Sequence, residues 1–224
     1  VPCSESAAAD EGQANESVGE MKRVLDLYSG RWGWSKAFAA RGWECVGLDL
    51  VAPPETPEGC TFVQANILKL AWSARIGFYL LDGPTLGFFD FICASSSCEQ
   101  FSVHGMKHFH PNPPYPEMGI RLFNHTRELC EASGVPYVME NVRAAQQFVG
   151  RSVHKCGPFH LWGNGVPVLM AQGITKGFGD MSTQHYHANL DRISPHIRAK
   201  NTATVPPELS TAVCDYAERL LEAR

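Results

Sequence analysis

The sequence predicts an α/β fold organised on a doubly wound, mostly parallel sheet. Three observations predict it. Short apolar runs with β-branched and aromatic members, each the length of one strand, recur along the chain, and several finish in a polar residue. Glycine-stopped segments with helical spacing lie among these runs. The first run leads through a glycine-containing turn into a helix and then a second run ending in an acid, the pattern of a nucleotide-binding half of such a sheet.

The first strand is expected at Arg23-Val24-Leu25-Asp26-Leu27-Tyr28, followed by the turn Ser29-Gly30-Arg31-Trp32-Gly33-Trp34. A helix should begin near Ser35 and stop at Gly42, since glycine at a helix end takes the left-handed conformation at little cost. Glu44–Leu50 is the second strand, with Asp49 at its end as a candidate acceptor for ribose hydroxyls. Thr61–Ile67 reads as the third strand, Ala71–Phe78 as a helix and Phe89–Ala94 as the fourth strand. That strand breaks into Ser95-Ser96-Ser97-Cys98, which puts a thiol just past a strand's carboxyl end, where open α/β sheets hold ligands.

A His-, Pro- and Met-rich loop follows Ser102, too dense in proline for regular structure. Apolar residues at helical spacing predict a helix over Met118–Ser133, ending at Gly134, and Val135–Val142 is the fifth strand. A strand is expected at Val166–Ala171. Leu209, Val213, Tyr216, Leu220 and Leu221 mark an amphipathic helix over Pro207–Arg224.

Composition narrows the function. With 224 residues, 44% of them hydrophobic, the chain can bury one sizeable core. Residues 1–20 are small, polar and acidic, and are expected to form a disordered tail ahead of a single domain over 21–224. A net charge of −4 supplies no general basic field, so a nucleic-acid partner needs a local patch. No apolar run approaches the roughly 20 residues that cross a bilayer, and no secretory pattern opens the chain. A cytoplasmic protein with no membrane partner is expected. The eight cysteines lack paired spacing, which suits thiols better than a disulfide framework. His104, His108, His110, His154, Cys156 and His160 match no zinc spacing, so no metal is expected.

Asp26-Leu27-Tyr28-Ser29-Gly30, then Ser95–Ser102, then Met139-Glu140-Asn141-Val142, and last Arg198–Pro207, stand in an order that resembles the DNA cytosine-5 methyltransferases. The likeness runs from about Arg23 to the C-terminus and suggests a short, phage-like member. It implies a Rossmann-like fold of the S-adenosylmethionine-dependent methyltransferase type, S-adenosylmethionine as cofactor, and DNA with a flipped-out cytosine as partner. By that resemblance Cys98 is the nucleophile that adds to C6, Glu140 is the acid at N3, and Asn141 holds both in place. Tyr28, Gly30 and Gly33 fall to the cofactor's methionine end, Asp49 to its ribose, and Asn66 with Ile67 to its adenine. Asp26, Ser29 and Leu50 complete the cofactor set, and Ser102, Arg198 and Lys200 fall to DNA.

Departures from the family pattern point to altered activity. Ser96 and Ser97 stand where prolines stiffen the loop, and Glu99 replaces a glutamine, adding negative charge that disfavours a thiolate. Trp32 takes the second glycine position of the turn, and Asn66 replaces an acid. No Gln-x-Arg-x-Arg block is found near His160–Asn164, and residues 155–197 are expected to be a reduced recognition or loop region. Two other readings remain open. One is an impaired relative that only binds cofactor and DNA; the other is a pyrimidine-modifying transferase with a different donor or acceptor.

Overall fold

The structure, a computed structural model, describes residues 21–98, 100–101, 116–166 and 205–224. The expected tail, Glu99, Ser102, the histidine-rich loop, most of the expected strand at 166–171, and Arg198 with Lys200 lie outside the described residues.

Five strands run parallel: β1 (Arg23–Leu27), β2 (Glu44–Asp49), β3 (Cys60–Gln64), β7 (Phe91–Ser95) and β8 (Tyr137–Asn141). Two more, β9 (His154–Cys156) and β10 (Phe159–Trp162), close one edge as a hairpin, with β10 antiparallel to β8. The sheet order is β3-β2-β1-β7-β8-β10-β9. The chain therefore winds outward in both directions from β1 and β7, as in the Rossmann-like folds, and the crevice between the carboxyl ends of those strands is the natural ligand site.

Alternation along the buried strands serves two cores. Leu25, Leu27, Ile92, Ala94 and Met139 face one side, where α2 (Glu117–Ser133) packs with Phe123 and Cys130. Val24, Cys45, Phe91, Cys93 and Val138 face the other. There α1 (Ser35–Ala39) contributes Phe38, and the C-terminal helix, α4 (Pro207–Glu222), contributes Leu209, Val213, Cys214 and Ala217. Each large side chain so buried contributes about 1.5–3 kcal/mol. The expected helix stops are present: Gly42 and Gly134 both have positive φ, and Gly134 caps α2.

One expectation is corrected. Ala71–Phe78 is not a helix but part of a small antiparallel sheet of β4 (Leu70–Ser73), β5 (Gly77–Leu80) and β6 (Thr85–Gly87). Gly77 decides this: its φ is 75°, and a Cβ there would stand 2.2 Å from the Gly87 carbonyl oxygen, so the backbones meet at a tight crossing no helix could make. The described start of the region expected to be a reduced recognition or loop region, 155–197, holds sheet strands. Gly157-Pro158 turns β9 into β10, and Phe159, Leu161 and Trp162 are buried between the sheet and its helices. A short helix, α3 (Gln146–Val149), precedes this hairpin.

The turn after β1 is fixed from below by Gly47. A Cβ on Gly47 would lie 2.3 Å from the Trp32 ring and 2.8 Å from Ser29 Cβ. Trp32 has nowhere to retreat, being 1% exposed and bonded through Nε1 to the Glu55 carbonyl at 3.0 Å. Gly47→Ala is therefore expected to lower stability by about 1–3 kcal/mol, read as a fall in the urea midpoint with unchanged slope.

Candidate functional site

A cavity of about 690 Å³ opens at the carboxyl ends of β1, β2 and β7, within the usual size range of small-molecule sites. Of the residues singled out for a cofactor, Tyr28, Ser29, Gly30, Gly33, Asp49, Leu50, Asn66 and Ile67 all line it. Asp26 does not. It is 1% exposed, and its Oδ2 accepts from Ser35 Oγ at 2.7 Å and Ser35 N at 3.2 Å, so it fixes the start of α1 from inside the sheet.

The turn itself is strained in two places. Tyr28 and Trp32 have φ of 64° and 62°, a left-handed conformation that costs a non-glycine residue about 1–3 kcal/mol and survives only where neighbours impose it. Trp32 is held as described above. Tyr28 is held through its hydroxyl, which lies 2.9 Å from Thr126 Oγ1 and 3.3 Å from the Leu122 carbonyl on α2. Burial pushes the Tyr28 hydroxyl up to about 12, so it stays a neutral hydrogen-bonding group.

Asp49 ties the floor of the cavity together. Its Oδ2 accepts from Gly30 N at 3.0 Å, while Oδ1 accepts from Leu50 N at 2.7 Å and Val51 N at 3.4 Å. Oδ2 still has a lone pair to offer a ligand. Asn66 has its Oδ1 engaged by Leu68 N at 3.0 Å, which leaves its amide hydrogens as what it can present. Ser29 Oγ is buried in the wall of the cavity, with no hydrogen-bond partner among the described residues.

On the β7 side the cavity reaches Ser95 and Ser97, and Cys98 follows, partly buried. Ser95 Oγ accepts from Trp34 Nε1 at 2.9 Å, and Ser95 is in register with Glu140 on β8. Asn141, fully buried, donates through Nδ2 to Ser96 O and Ser96 Oγ, both at 3.0 Å. The end of β8 thus holds the loop that carries Cys98. Glu140 itself is 9% exposed.

Sequence reasoning missed several lining residues. Trp34 reads from sequence as packing, yet it bridges the turn to Ser95. Val51, Ala52, Pro53 and Pro54 form a rim, and Leu122 reaches in from α2. Val205 belongs to the late Arg198–Pro207 block, and it explains Gly33. A Cβ on Gly33 would lie 3.1 Å from both Val205 Cβ and Val205 N, so the late block closes directly on the turn. Proximity of a rim segment to the strand-end acid was the only sequence signal for Val51–Pro54.

No family model matches the chain, and no curated protein does. Similar solved structures include the glycopeptide N-methyltransferase MtfA complexed with S-adenosylmethionine, at 19% identity over 55% of this chain and 49% of that one, with a TM-score of 0.29. The bifunctional kinase-methyltransferase WbdD gives 16% identity over 55% of this chain and 24% of that one, with a TM-score of 0.28. The 1,6-didemethyltoxoflavin-N1-methyltransferase of Burkholderia thailandensis gives 17% identity over 65% and 55%, with a TM-score of 0.29. The chain spans between a quarter and just over half of their lengths. Likeness this loose carries no inference about substrate or cofactor, which rest on the cavity itself. Among the described residues no His, Cys, Asp and Glu cluster could hold a metal, and no helix is long and apolar enough to cross a membrane.

Proposed function

We propose that the chain binds S-adenosylmethionine in this cavity and methylates C5 of cytosine in DNA through Cys98. One observation carries the reading. Sequence blocks separated by tens of residues come together here: residues of the Tyr28–Trp34 turn line the cavity with Ser95 and Ser97, and Asn141 bonds Ser96 in the loop that leads to Cys98.

The residues present fit the cofactor. Ile67, Leu50 and Val51 offer apolar surface to an adenine, Asp49 offers a carboxylate oxygen to a ribose diol, and the buried Ser29 hydroxyl stands ready for the amino-acid end. When bound, S-adenosylmethionine supplies an electrophilic methyl group. The chain's own residues then make cytosine able to accept it. Cys98 sulfur adds to C6, and Glu140 holds a proton at N3, so that electron density gathers at C5. After transfer the C5 proton is lost, the C6–sulfur bond breaks and the thiolate is regenerated. Asn141 keeps the loop in place, and Trp34 fixes Ser95 beside Glu140.

The direct test incubates the purified protein with DNA and methyl-labelled S-adenosylmethionine and digests the product to nucleosides. Label in 5-methylcytosine is expected; label in another nucleoside, or none with a folded cofactor-bound protein, overturns the reading. Asp49→Ala should also weaken cofactor binding by about 1.5–3 kcal/mol, the cost of losing a charged hydrogen-bond partner. Calorimetric titration of the folded variant checks it, and unchanged affinity would remove Asp49 from the site.

A further inference from the structure

A second concavity, of about 820 Å³, lies on the β9 edge of the main sheet, away from the cofactor cavity. Its lining holds the cations Arg151 and Lys155 and the imidazoles of His154 and His160, with Gln146 and Ser152 between them. Among the described residues no acid lines it. The sequence explains why: after Glu140 the next acid is Asp180, while the stretch between them carries Arg143, Arg151, Lys155 and Lys176. A chain of net charge −4 has concentrated cations here.

The floor of the trough is rigid. Gln146 Oε1 accepts from Ser152 N and Ser152 Oγ, both at 3.2 Å, and Ser152 Oγ lies 3.0 Å from His160 Nδ1. Above that floor Arg151 and Lys155 are exposed, with their charges available to a partner. The local field is visible in His160, which burial and then Lys155 and Arg143 hold below the usual histidine range.

Position selects the partner. His160 is in register with Asn141 on β8 and with Lys155 on β9. At the usual strand spacing Lys155 stands about 10 Å from the residue that holds the Cys98 loop, a distance one nucleic-acid strand covers in about three steps. Exposed Arg151 and Lys155 in a shallow hollow at this distance suit the phosphodiesters of a strand that enters the site. We propose that this trough, formed by Arg151, His154, Lys155 and His160, holds the phosphate backbone of the DNA whose cytosine enters the site. The inference rests on the reading of DNA as the methyl acceptor and adds where its backbone lies.

The test uses the full chain and the double variant Arg151→Ala with Lys155→Ala. Both side chains are exposed, so an unchanged melting temperature is expected. Binding of a fluorescent DNA duplex is measured by anisotropy from about 50 to 200 mM salt. The variant should bind about tenfold more weakly, and its slope of log affinity against log salt should be shallower by about 2, one unit per lost phosphate contact. Equal affinity and slope, with a wild type that does bind DNA, overturns the trough alone. A wild type that binds no DNA overturns the acceptor reading, and the trough falls with it. Parallel arms use inorganic phosphate and phosphatidylserine vesicles. Loss of vesicle binding in the variant with DNA binding untouched assigns the trough to a membrane surface and overturns the proposal, as does competition by free phosphate at concentrations that leave ionic strength unchanged.

Discussion

Cys98→Ala is expected to abolish a covalent complex between the protein and DNA containing 5-fluorocytosine, and to reduce methyl transfer by roughly a thousandfold or more. Fluorine at C5 leaves no proton to remove after methyl transfer, so the C6–sulfur bond cannot break and the complex survives denaturing gels. The core thiols of β7 and α2 cannot substitute. Cys93 and Cys130 are buried in the two cores, and burial pushes both thiols well above the usual range, so neither offers a thiolate near neutral pH. Replacing either by alanine should leave trapping intact and cost a few kcal/mol of stability at most. Glu140→Gln should slow trapping, because it can no longer hold a proton at N3. A wild-type protein that is folded and cofactor-bound yet traps nothing would favour a protein that only binds. Trapping undiminished in Cys98→Ala would move the nucleophile elsewhere.

What the sequence made legible was governed by short-range rules. Apolar runs of strand length, Gly42 and Gly134 as helix stops, and an acid at the end of β2 follow from local sterics and burial. They sufficed to place Asp49 and the glycine turn at the cavity. What was hidden depends on contacts between distant segments. Gly77 looks harmless within an apolar stretch until Gly87 is laid against it. Gly33 reads as one more turn glycine, and only the arrival of Val205 shows what its missing side chain makes room for. Trp32 stands at a glycine position of the pattern that the sequence resembles, and its role is hidden in the sequence. In the fold its ring occupies the space over Gly47 and its indole hydrogen anchors the segment leading from the cavity rim. Asp26 shows the same limit from the other side: a strand acid beside a glycine turn reads as a ligand contact, but Ser35 draws it inward.

That inward position gives Asp26 a large effect on stability of its own. Asp26→Asn is expected to flatten the dependence of stability on pH between about pH 5 and 8. Burial raises the carboxyl from 3.8 to about 7, opposed by the two hydrogen bonds from Ser35 and reinforced by the charge of Asp49. Oδ1 has no hydrogen-bond partner to support a negative charge. The unfolded chain gives up this proton near the ordinary carboxylate value, whereas the native state keeps it until about 7. Between those values the folded protein binds more protons, so its stability falls as pH rises and levels off above the folded value. Three units of separation correspond to about 4 kcal/mol. Asparagine retains an oxygen to accept from Ser35 and cannot ionise, so it removes the slope. Urea unfolding of both proteins at pH 5, 6.5 and 8 should show the difference in stability moving in favour of the variant by about 2–4 kcal/mol from the lowest pH to the highest. Ser35→Ala should do the reverse, raising the carboxyl further and carrying the fall to higher pH, because it deletes the Oγ bond that favours the charged form and keeps only the backbone one. A difference between wild type and Asp26→Asn that is constant with pH would mean that Asp26 is already ionised in the native state, and that the hydrogen bonds at the start of α1 outweigh its burial.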